Sequence, residues 1–181
     1  LEGNPCDHTL EACLTFSNEE MAYENVPERG RIISKEEAFK VLSDAEEEGL
    51  VHCTYNVQQG QAFVCNCCSC SCGLLRGLKE FKAPYMLAKS NFVATIDQES
   101  CEACGVCMDE RCPMDAIIEV DDVYSVQDQR CIGCGVCTVT CPTESITLAN
   151  RPKSEIEMPP ENLFEWGAKR AEKRGIALRV D

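Results

Sequence analysis

Two stretches of the sequence decide its fold: CEACGVCMDERCP at residues 101–113 and CIGCGVCTVTCP at residues 131–142. Each stretch holds three cysteines with two residues between neighbours, followed by a cysteine that precedes proline. The first string comprises Cys101, Cys104, Cys107 and Cys112, and the second string comprises Cys131, Cys134, Cys137 and Cys141. Three thiolates at this spacing on a tightly curled loop can reach three metal ions of one compact cluster. Eight cysteines in two matching runs therefore indicate two metal centres.

The strings have the cysteine pattern of iron–sulfur ligation, and they resemble those of the two-cluster bacterial ferredoxins. The resemblance implies two [4Fe-4S] clusters, with the last cysteine of each string serving the cluster of the other string. The ligands expected for the first cluster are Cys101, Cys104, Cys107 and Cys141. The ligands expected for the second cluster are Cys131, Cys134, Cys137 and Cys112.

The first string departs from the ferredoxin pattern at one place. Three residues separate Cys137 from Cys141, as is usual, but four separate Cys107 from Cys112. We expect the extra residue to bulge outward, because Cys112 belongs to the other cluster and the local triplet is not interrupted. The change should alter the surroundings of the second cluster, and with them its reduction potential.

The two strings also mark an internal repeat, which predicts an α+β fold. A strand-like run precedes each string, at residues 92–96 and 123–126, and a short apolar stretch follows each Cys-Pro pair. The predicted unit is strand, cluster loop, short helix and strand, and two copies related by a pseudo-twofold axis would enclose both clusters. Gly105, Gly133 and Gly135 fit loops whose backbone passes close to sulfur.

The chain divides into three predicted regions: a cysteine-rich, mainly helical region at 1–92, the two-string unit at 93–150, and a tail with a short helix at 151–181. In the first region, Ser34 and Glu37 form a capping box, and apolar residues recur at helical spacing until Gly49. In the tail, a helix is expected from near Pro160 to the basic residues before Gly175.

A further group of five cysteines lies within eight residues, from Cys65 to Cys72. The spacing of Cys65, Cys68 and Cys72 suits a third [4Fe-4S] cluster, with Cys13 as the fourth ligand. The alternatives are Cys67 and Cys70 within the same segment, with Cys6 and Cys53 as further candidates. A zinc site and unligated thiols in a reducing cell stay open as other interpretations, because thiolate ligands suit zinc as well as iron–sulfur clusters.

Composition narrows the function. The 181 residues include 16 cysteines and carry a formal net charge of −14. Nucleic-acid binding is not expected, because a polyanion would be repelled, whereas acidic residues can steer the chain to a basic redox partner. The chain shows no signal-peptide pattern and no run of about 18 apolar residues. We therefore expect a cytoplasmic protein without membrane insertion, whose cysteines bind metal rather than form disulfides.

These features predict an electron-transfer protein with no catalytic residues of its own, since no nucleophile–base pair and no phosphate-binding glycine loop is found. Four segments extend the resemblance over nearly the full length: CLTF at 13–16, SKEEA at 34–38, GLVH at 49–52 and CNCC at 65–68. With the two strings, they resemble the small iron–sulfur subunit of tungsten-dependent, class II benzoyl-coenzyme A reductases.

That resemblance implies a catalytic partner that carries a tungstopterin, a further electron-donor protein and an anaerobic cytoplasm. Two alternatives are kept. One is a ferredoxin that serves another enzyme, such as an aldehyde oxidoreductase or a hydrogenase, and the other is a cysteine-rich zinc or redox-sensing module.

Overall fold

The computed structural model describes residues 6–17, 30–83 and 86–176. The predicted capping box, helix and strands fall within these ranges. The elements, in chain order, are β1 (Leu14–Thr15), α1 (Lys35–Glu47), β2 (Val51–Cys53), β3 (Phe63–Cys67), α2 (Gly73–Lys79), β4 (Phe92–Ile96), a π-helical turn (Cys107–Arg111), β5 (Ile117–Val120), β6 (Val123–Val126), β7 (Ile146–Asn150) and α3 (Leu163–Lys173).

Helix α1 begins and ends as its sequence predicts. The Glu37 N–H donates to Ser34 Oγ at 3.1 Å, and the Ser34 N–H donates to the Glu37 carboxylate at 2.9 Å. This reciprocal pair satisfies two amide groups that the first helical turn leaves without partners. After the helix, Gly49 adopts a φ of +82°, and the Leu50 N–H returns to the Ala45 carbonyl at 2.8 Å. The capping box and the glycine stop are both confirmed.

The N-terminal region contains the helices α1 and α2 and, beside them, a three-stranded antiparallel sheet in the order β1-β3-β2 that the sequence did not predict. The central strand β3 carries alternating aromatic, β-branched and cysteine residues, which suit a pleated surface. Buried Asn66 holds it in place by donating to the Ala12 carbonyl and by bonding His52 Nδ1, both at 2.5 Å. His52 lies in β2, directly opposite Asn66.

The two-string unit contains two antiparallel strand pairs, β4 with β7 and β5 with β6. Phe92 lies opposite Asn150 in the first pair, and Ile117 lies opposite Val126 in the second. Each pair joins one strand from the half that carries the first string to one strand from the half that carries the second. The strands predicted at 92–96 and 123–126 are both confirmed, and the two halves are interleaved.

Corresponding positions of the two halves make the same contacts. The Asp97 N–H donates to the Ser145 carbonyl at 2.8 Å, and the Gln127 N–H donates to the Ala116 carbonyl at 2.7 Å. In both halves a residue shortly after the Cys-Pro pair adopts a left-handed conformation, Asp115 with φ +48° and Glu144 with φ +53°. These contacts agree with an internal repeat, and the pseudo-twofold axis itself stays a prediction.

The extra residue of the first string is absorbed in a single π-helical turn, Cys107–Arg111. The Cys112 N–H donates to the Cys107 carbonyl at 3.1 Å, five residues back rather than four. The preceding turn is the same in both strings, because the Met108 N–H donates to the Gly105 carbonyl at 2.9 Å and the Thr138 N–H donates to the Gly135 carbonyl at 2.8 Å. An inserted residue commonly widens one helical turn in this way, often at a functional site.

The widened turn also connects the two-string unit to α1. Its last residue, Arg111, donates from Nη1 to the Glu47 carbonyl at 2.7 Å and from Nη2 to the Glu46 carbonyl at 2.8 Å. These carbonyls belong to the last turn of α1, which has no basic residue of its own, and a cation there complements the helix dipole. A shared apolar core reinforces the junction and consists of Val51, Leu75, Met114, Ala116 and Val136.

The tail lies against the loop between β2 and β3. The N–H groups of Gln58 and Gln59 donate to the carbonyls of Pro160 and Glu161 at 2.9 and 2.8 Å. Helix α3 follows, and the Asn162 side chain caps it by accepting from the Glu165 N–H at 3.0 Å. The predicted tail helix is therefore confirmed. In the described part of the chain, no helix combines the length and the apolar character needed to cross a membrane.

Replacing Arg111 by methionine should loosen the C-terminal end of α1. The variant keeps the length of the side chain but loses both bonds to the helix carbonyls, which removes about 1.5 kcal/mol of local stability. We expect about tenfold faster hydrogen–deuterium exchange around residues 47–50, measured by mass spectrometry. Lys40→Met is the matched control, because Lys40 only pairs with Asp44 on the exposed face of the same helix. Equal exchange in the two variants would contradict the assigned role.

Candidate metal centres

The cysteines of the two strings surround two hollows. The first hollow is lined in part by Cys101, Cys104, Cys107 and Cys141. The second hollow is lined in part by Cys112, Cys131, Cys134 and Cys137. Each hollow thus receives three cysteines from one string and the last cysteine from the other, the grouping that the ferredoxin resemblance implies. The remaining wall of the second hollow is mostly apolar.

The strand pairing explains why the last cysteines cross over. Cys112 precedes β5, which pairs with β6 immediately before the second string, whereas Cys141 precedes β7, which pairs with β4 immediately before the first string. Each Cys-Pro pair therefore reaches the hollow of the other half. Each hollow thus offers four sulfur donors, which is the ligand set that iron–sulfur clusters require.

The cluster loops depend on left-handed backbone at matching positions. Gly105 and Gly135 have φ of +83° and +81°, and Gly133 has φ of +66°. A Cβ on Gly133 would lie 2.3 Å from the Phe92 carbonyl oxygen, so this loop packs directly on β4. The atom that excludes a side chain here is a backbone oxygen, and the expected approach of this loop to sulfur stays a prediction. In the first string the matching residue is Ala103, which tolerates φ of +51°.

Hydrogen bonds reach several of the sulfurs. The Ala94 N–H lies 3.5 Å from Cys131 Sγ, and the Ala116 N–H lies 3.2 Å from Cys112 Sγ. Both sulfurs line the second hollow, and donors of this kind raise the reduction potential of a bound cluster. In the first hollow, Cys141 Sγ lies 3.3 Å from the Ser145 hydroxyl. Burial opposes ionisation of Cys141, but this bond and neighbouring N–H groups outweigh it and lower the pKa to about 7.

For Cys134 and Cys137 of the second string, burial dominates and the pKa of the thiol is raised. The pKa rises to about 11 for Cys134 and to about 12 for Cys137. These groups are therefore protonated near neutral pH unless a cation compensates the buried thiolate. Metal binding must displace their protons, which couples the formation of the site to metal loading.

Arg151 supports the second string and was missed by the sequence analysis, which treated it as the start of the tail. Its side chain is only 1% exposed and forms an ion pair with Asp128. It also donates to the Cys131 carbonyl at 2.9 Å and to the Ser90 carbonyl at 3.0 Å. A buried guanidinium therefore lies beside a cysteine of the second hollow. No local sequence signal distinguishes it, because its partners Asp128, Cys131 and Ser90 are 20 or more residues away and only the pairing with Glu155, at 3.9 Å, is local.

The cysteines of the N-terminal region separate into two groups. The Cys67 group consists of cysteines that shift one another's pKa: Cys53, Cys65 and Cys72 act on Cys67, and Cys13 acts on Cys65. The Cys68 group consists of Cys6, Cys68 and Cys70. Of the four ligands expected for a third cluster, the structure brings Cys13, Cys65 and Cys72 into the Cys67 group. Cys68 is directed to the other group.

In the Cys68 group, Cys68 Sγ lies 3.7 Å from Cys6 Sγ and 2.9 Å from Cys70 Sγ. Cys6 also contacts the Ser71 hydroxyl at 3.4 Å. Hydrogen bonds, first from Ser71 and then from Cys70, lower the pKa of Cys6 to about 7. The participation of Cys6 could not be read from the spacing within 65–72, because this residue is about 60 positions away in the sequence.

The Cys67 group lies next to the second hollow. The pKa of Cys53 is lowered chiefly by a hydrogen bond with Cys67, whereas burial and nearby sulfurs, including Cys134, oppose the shift. Cys134 belongs to the second hollow, so the two sites are electrostatic neighbours. Cysteines from both sites pack on the same apolar core: Cys53, Cys67, Cys72, Cys112, Cys131 and Cys134.

Comparisons with known proteins agree with this chemistry. Residues 109–151 match the family model of the LdpA Fe-S cluster-binding domain. Over 92 residues the chain is 30% identical to component A of hydrogenase-4 from Escherichia coli, which covers 49% of this chain and 44% of that protein. Over 42 residues it is 45% identical to an uncharacterized ferredoxin from Methanocaldococcus jannaschii, covering 23% of this chain and 28% of that protein.

Another relative is the archaeal-type glutamate synthase (NADPH) of Dehalococcoides mccartyi. It is 32% identical over 94 residues, which cover 49% of this chain and 18% of that protein. The chain spans less than half the length of each of these three relatives. Together with the cysteine-lined hollows, the matches define an iron–sulfur protein of ferredoxin type, the class of protein that transfers electrons.

Replacing Gly133 by alanine should empty the second hollow, because the new Cβ would overlap the Phe92 carbonyl oxygen. We expect a loss of about four irons per chain, the content of one cubane, measured on anaerobically purified protein. Ala103→Gly is the matched control, because it relieves a left-handed alanine at the corresponding position and should keep the full iron content. Full iron in Gly133→Ala would contradict the tight packing described here.

Replacing Arg151 by glutamine should lower the reduction potential of the centre in the second hollow by tens of millivolts, because a buried positive charge is lost next to Cys131. Redox titration followed by electron paramagnetic resonance measures the shift. Lys89→Gln is the control, because Lys89 is half exposed and its pairing with Glu155 is screened by solvent. An unchanged potential in Arg151→Gln would contradict the electrostatic role.

Proposed function

We propose that this chain is the electron-transfer subunit of a larger oxidoreductase. In this proposal it relays single low-potential electrons through two [4Fe-4S] clusters in the two hollows and a third in the Cys67 group. When bound, the clusters supply one-electron redox chemistry. The protein residues hold the sulfurs in position, exclude water and tune the potentials through hydrogen bonds and charge.

The observation that carries the proposal is the composition of the two hollows. Four cysteines line each one, and both strings contribute to both hollows. Two centres that each take ligands from both strings have a fixed separation, and fixed separation is what an electron relay requires. A single structural metal site would need neither the second string nor the exchange of Cys112 and Cys141.

For the third cluster, the proposed ligands are four of the five cysteines in the Cys67 group. This retains Cys13, Cys65 and Cys72 from the set expected from sequence. Cys67 or Cys53 then takes the place of Cys68, because Cys68 faces Cys6 and Cys70. The proximity of Cys53 to Cys134 supports a linear order: the N-terminal centre, then the second hollow, then the first.

The surroundings of the two hollows support a difference in potential between them. Near the first hollow, the Tyr124 hydroxyl donates to the Glu119 carboxylate at 3.2 Å. Burial is the main reason that the pKa of Tyr124 is raised, and the negative charges of Glu119 and Asp109 raise it further. Near the second hollow lie the Arg151 guanidinium and the N–H donors of Ala94 and Ala116. Negative surroundings lower a cluster potential and positive surroundings raise it.

The partner in this proposal is a larger catalytic oxidoreductase subunit, and the net charge of −14 favours a basic docking surface on it. Resemblance to the small subunit of class II benzoyl-coenzyme A reductases makes a tungstopterin enzyme in an anaerobic cytoplasm the first partner to test. The hydrogenase component and the glutamate synthase among the relatives support membership of a larger oxidoreductase assembly.

Metal analysis of the anaerobically purified chain tests the cluster proposal. Three cubanes require about twelve irons and twelve sulfides per chain, and two require about eight. Cys104→Ser, in the first string, should remove about four irons and leave the rest. Cys13→Ser should lower the iron content only if the Cys67 group binds a cluster. Zinc in place of iron and sulfide in the two hollows would overturn the electron-transfer proposal.

Purification from the native organism under anaerobic conditions tests the partner. We expect the chain to elute together with a larger subunit, whose cofactor identifies the reaction. Tungsten in that fraction would support a benzoyl-coenzyme A reductase. A monomeric chain that exchanges freely between partners would instead indicate a free-standing ferredoxin.

A further inference from the structure

Cys6, Cys68 and Cys70 form a cluster of thiols that the two hollows and the Cys67 group leave unused. Their sulfurs all lie within 4.8 Å of one another. Among residues 6–17, 30–83 and 86–176, no other set of three histidine, cysteine or carboxylate ligand atoms is as close together. The cysteine triplets of the two strings, although they line the hollows, do not meet this distance.

The spacing distinguishes one metal ion from a cluster. Four sulfurs at about 2.3 Å around a single tetrahedral ion lie about 3.8 Å apart. Sulfurs that bind different irons of a cubane lie farther apart, because each iron is itself displaced from the cluster centre. The distance of 3.7 Å from Cys6 Sγ to Cys68 Sγ is that of ligands on one ion, whereas Cys68 Sγ and Cys70 Sγ, 2.9 Å apart, must separate by about 0.9 Å when an ion binds.

We propose that Cys6, Cys68 and Cys70 bind one Zn²⁺ ion at a mononuclear site that is separate from the iron–sulfur centres. Three thiolates form a soft donor set that suits zinc, and a fourth tetrahedral position is left for water or another ligand. Ser71 Oγ, 3.4 Å from Cys6 Sγ, can hydrogen-bond to that sulfur and orient it.

The ion would link the N-terminal segment, through Cys6, to the turn after β3, through Cys68 and Cys70. Cys6 and Cys68 are 62 residues apart, so one metal closes a long loop and reduces the entropy of the unfolded chain. The protein contacts of this segment near Cys6 are otherwise weak and exposed. They include the Thr9 N–H to the Glu48 carboxylate at 2.9 Å and the pairing of His8 with Glu48 at 3.5 Å.

The site does not depend on the proposed relay, because none of its three thiols belongs to the centres assigned above. Iron and sulfide content report on the relay, whereas zinc content reports on this site. Both are measured on the same sample, so the failure of one proposal is distinguishable from the failure of the other.

The test uses the full chain, purified without oxygen and dialysed against metal-free buffer. We expect about one zinc per chain, and X-ray absorption at the zinc edge should show about three sulfur ligands at about 2.3 Å. Cys70→Ser should lower zinc at least tenfold and leave iron and sulfide unchanged. Ser69→Ala, in the same turn, is the matched control and should keep the zinc.

Cys6→Ser provides a second variant, 62 residues from Cys68 in the sequence. It should lose zinc as Cys70→Ser does. In the unaltered protein, removal of zinc by a chelator should speed hydrogen–deuterium exchange in residues 6–17 while the iron content stays constant. A chain without zinc, or a loss of iron and sulfide in Cys70→Ser, would overturn the proposal.

Discussion

The constraint on which the structure depends is that each hollow is lined by three cysteines from one string and the last cysteine from the other. Neither half can complete a four-sulfur site alone, so the strands before and after the strings pair across the halves as β4–β7 and β5–β6. The apolar core is correspondingly small. Among the described residues, Leu75 is the large side chain that is fully buried, and much of the other packing is against cysteines. We propose that metal ligation therefore contributes directly to folding.

The two halves have the same arrangement of strands and cysteines, but they differ at three positions where one half makes an additional contact. The extra residue before Cys112 becomes a π-helical turn, and the turn delivers Arg111 to the end of α1. The second string has Gly133 where the first has Ala103, because its loop lies against the Phe92 carbonyl. Arg151 is buried beside the second string, and no equivalent contact to the first is found among the described residues. The two hollows therefore offer the same number of cysteines but have different surroundings.

Sequence was sufficient wherever the determinants are local. The cysteine spacing, the Ser34–Glu37 capping box and the strands before each string all depend on neighbours within a few residues. It was insufficient where contacts span the chain. The CNCCSCSC segment permits several triplets, and only the positions of Cys6 and Cys53, brought in from distant segments, separate the Cys68 group from the Cys67 group. Arg111 and Arg151 were missed for the same reason, and the sheet around β3 because cysteine has no strong strand preference.

The central claim is that the exchange of Cys112 and Cys141 between strings builds two iron centres. Anomalous scattering from crystals grown without oxygen, recorded on both sides of the iron absorption edge, tests it directly. The account predicts one iron peak among Cys101, Cys104, Cys107 and Cys141, and another among Cys131, Cys134, Cys137 and Cys112. Iron bound by all four cysteines of a single string, or no iron in either hollow, would contradict it.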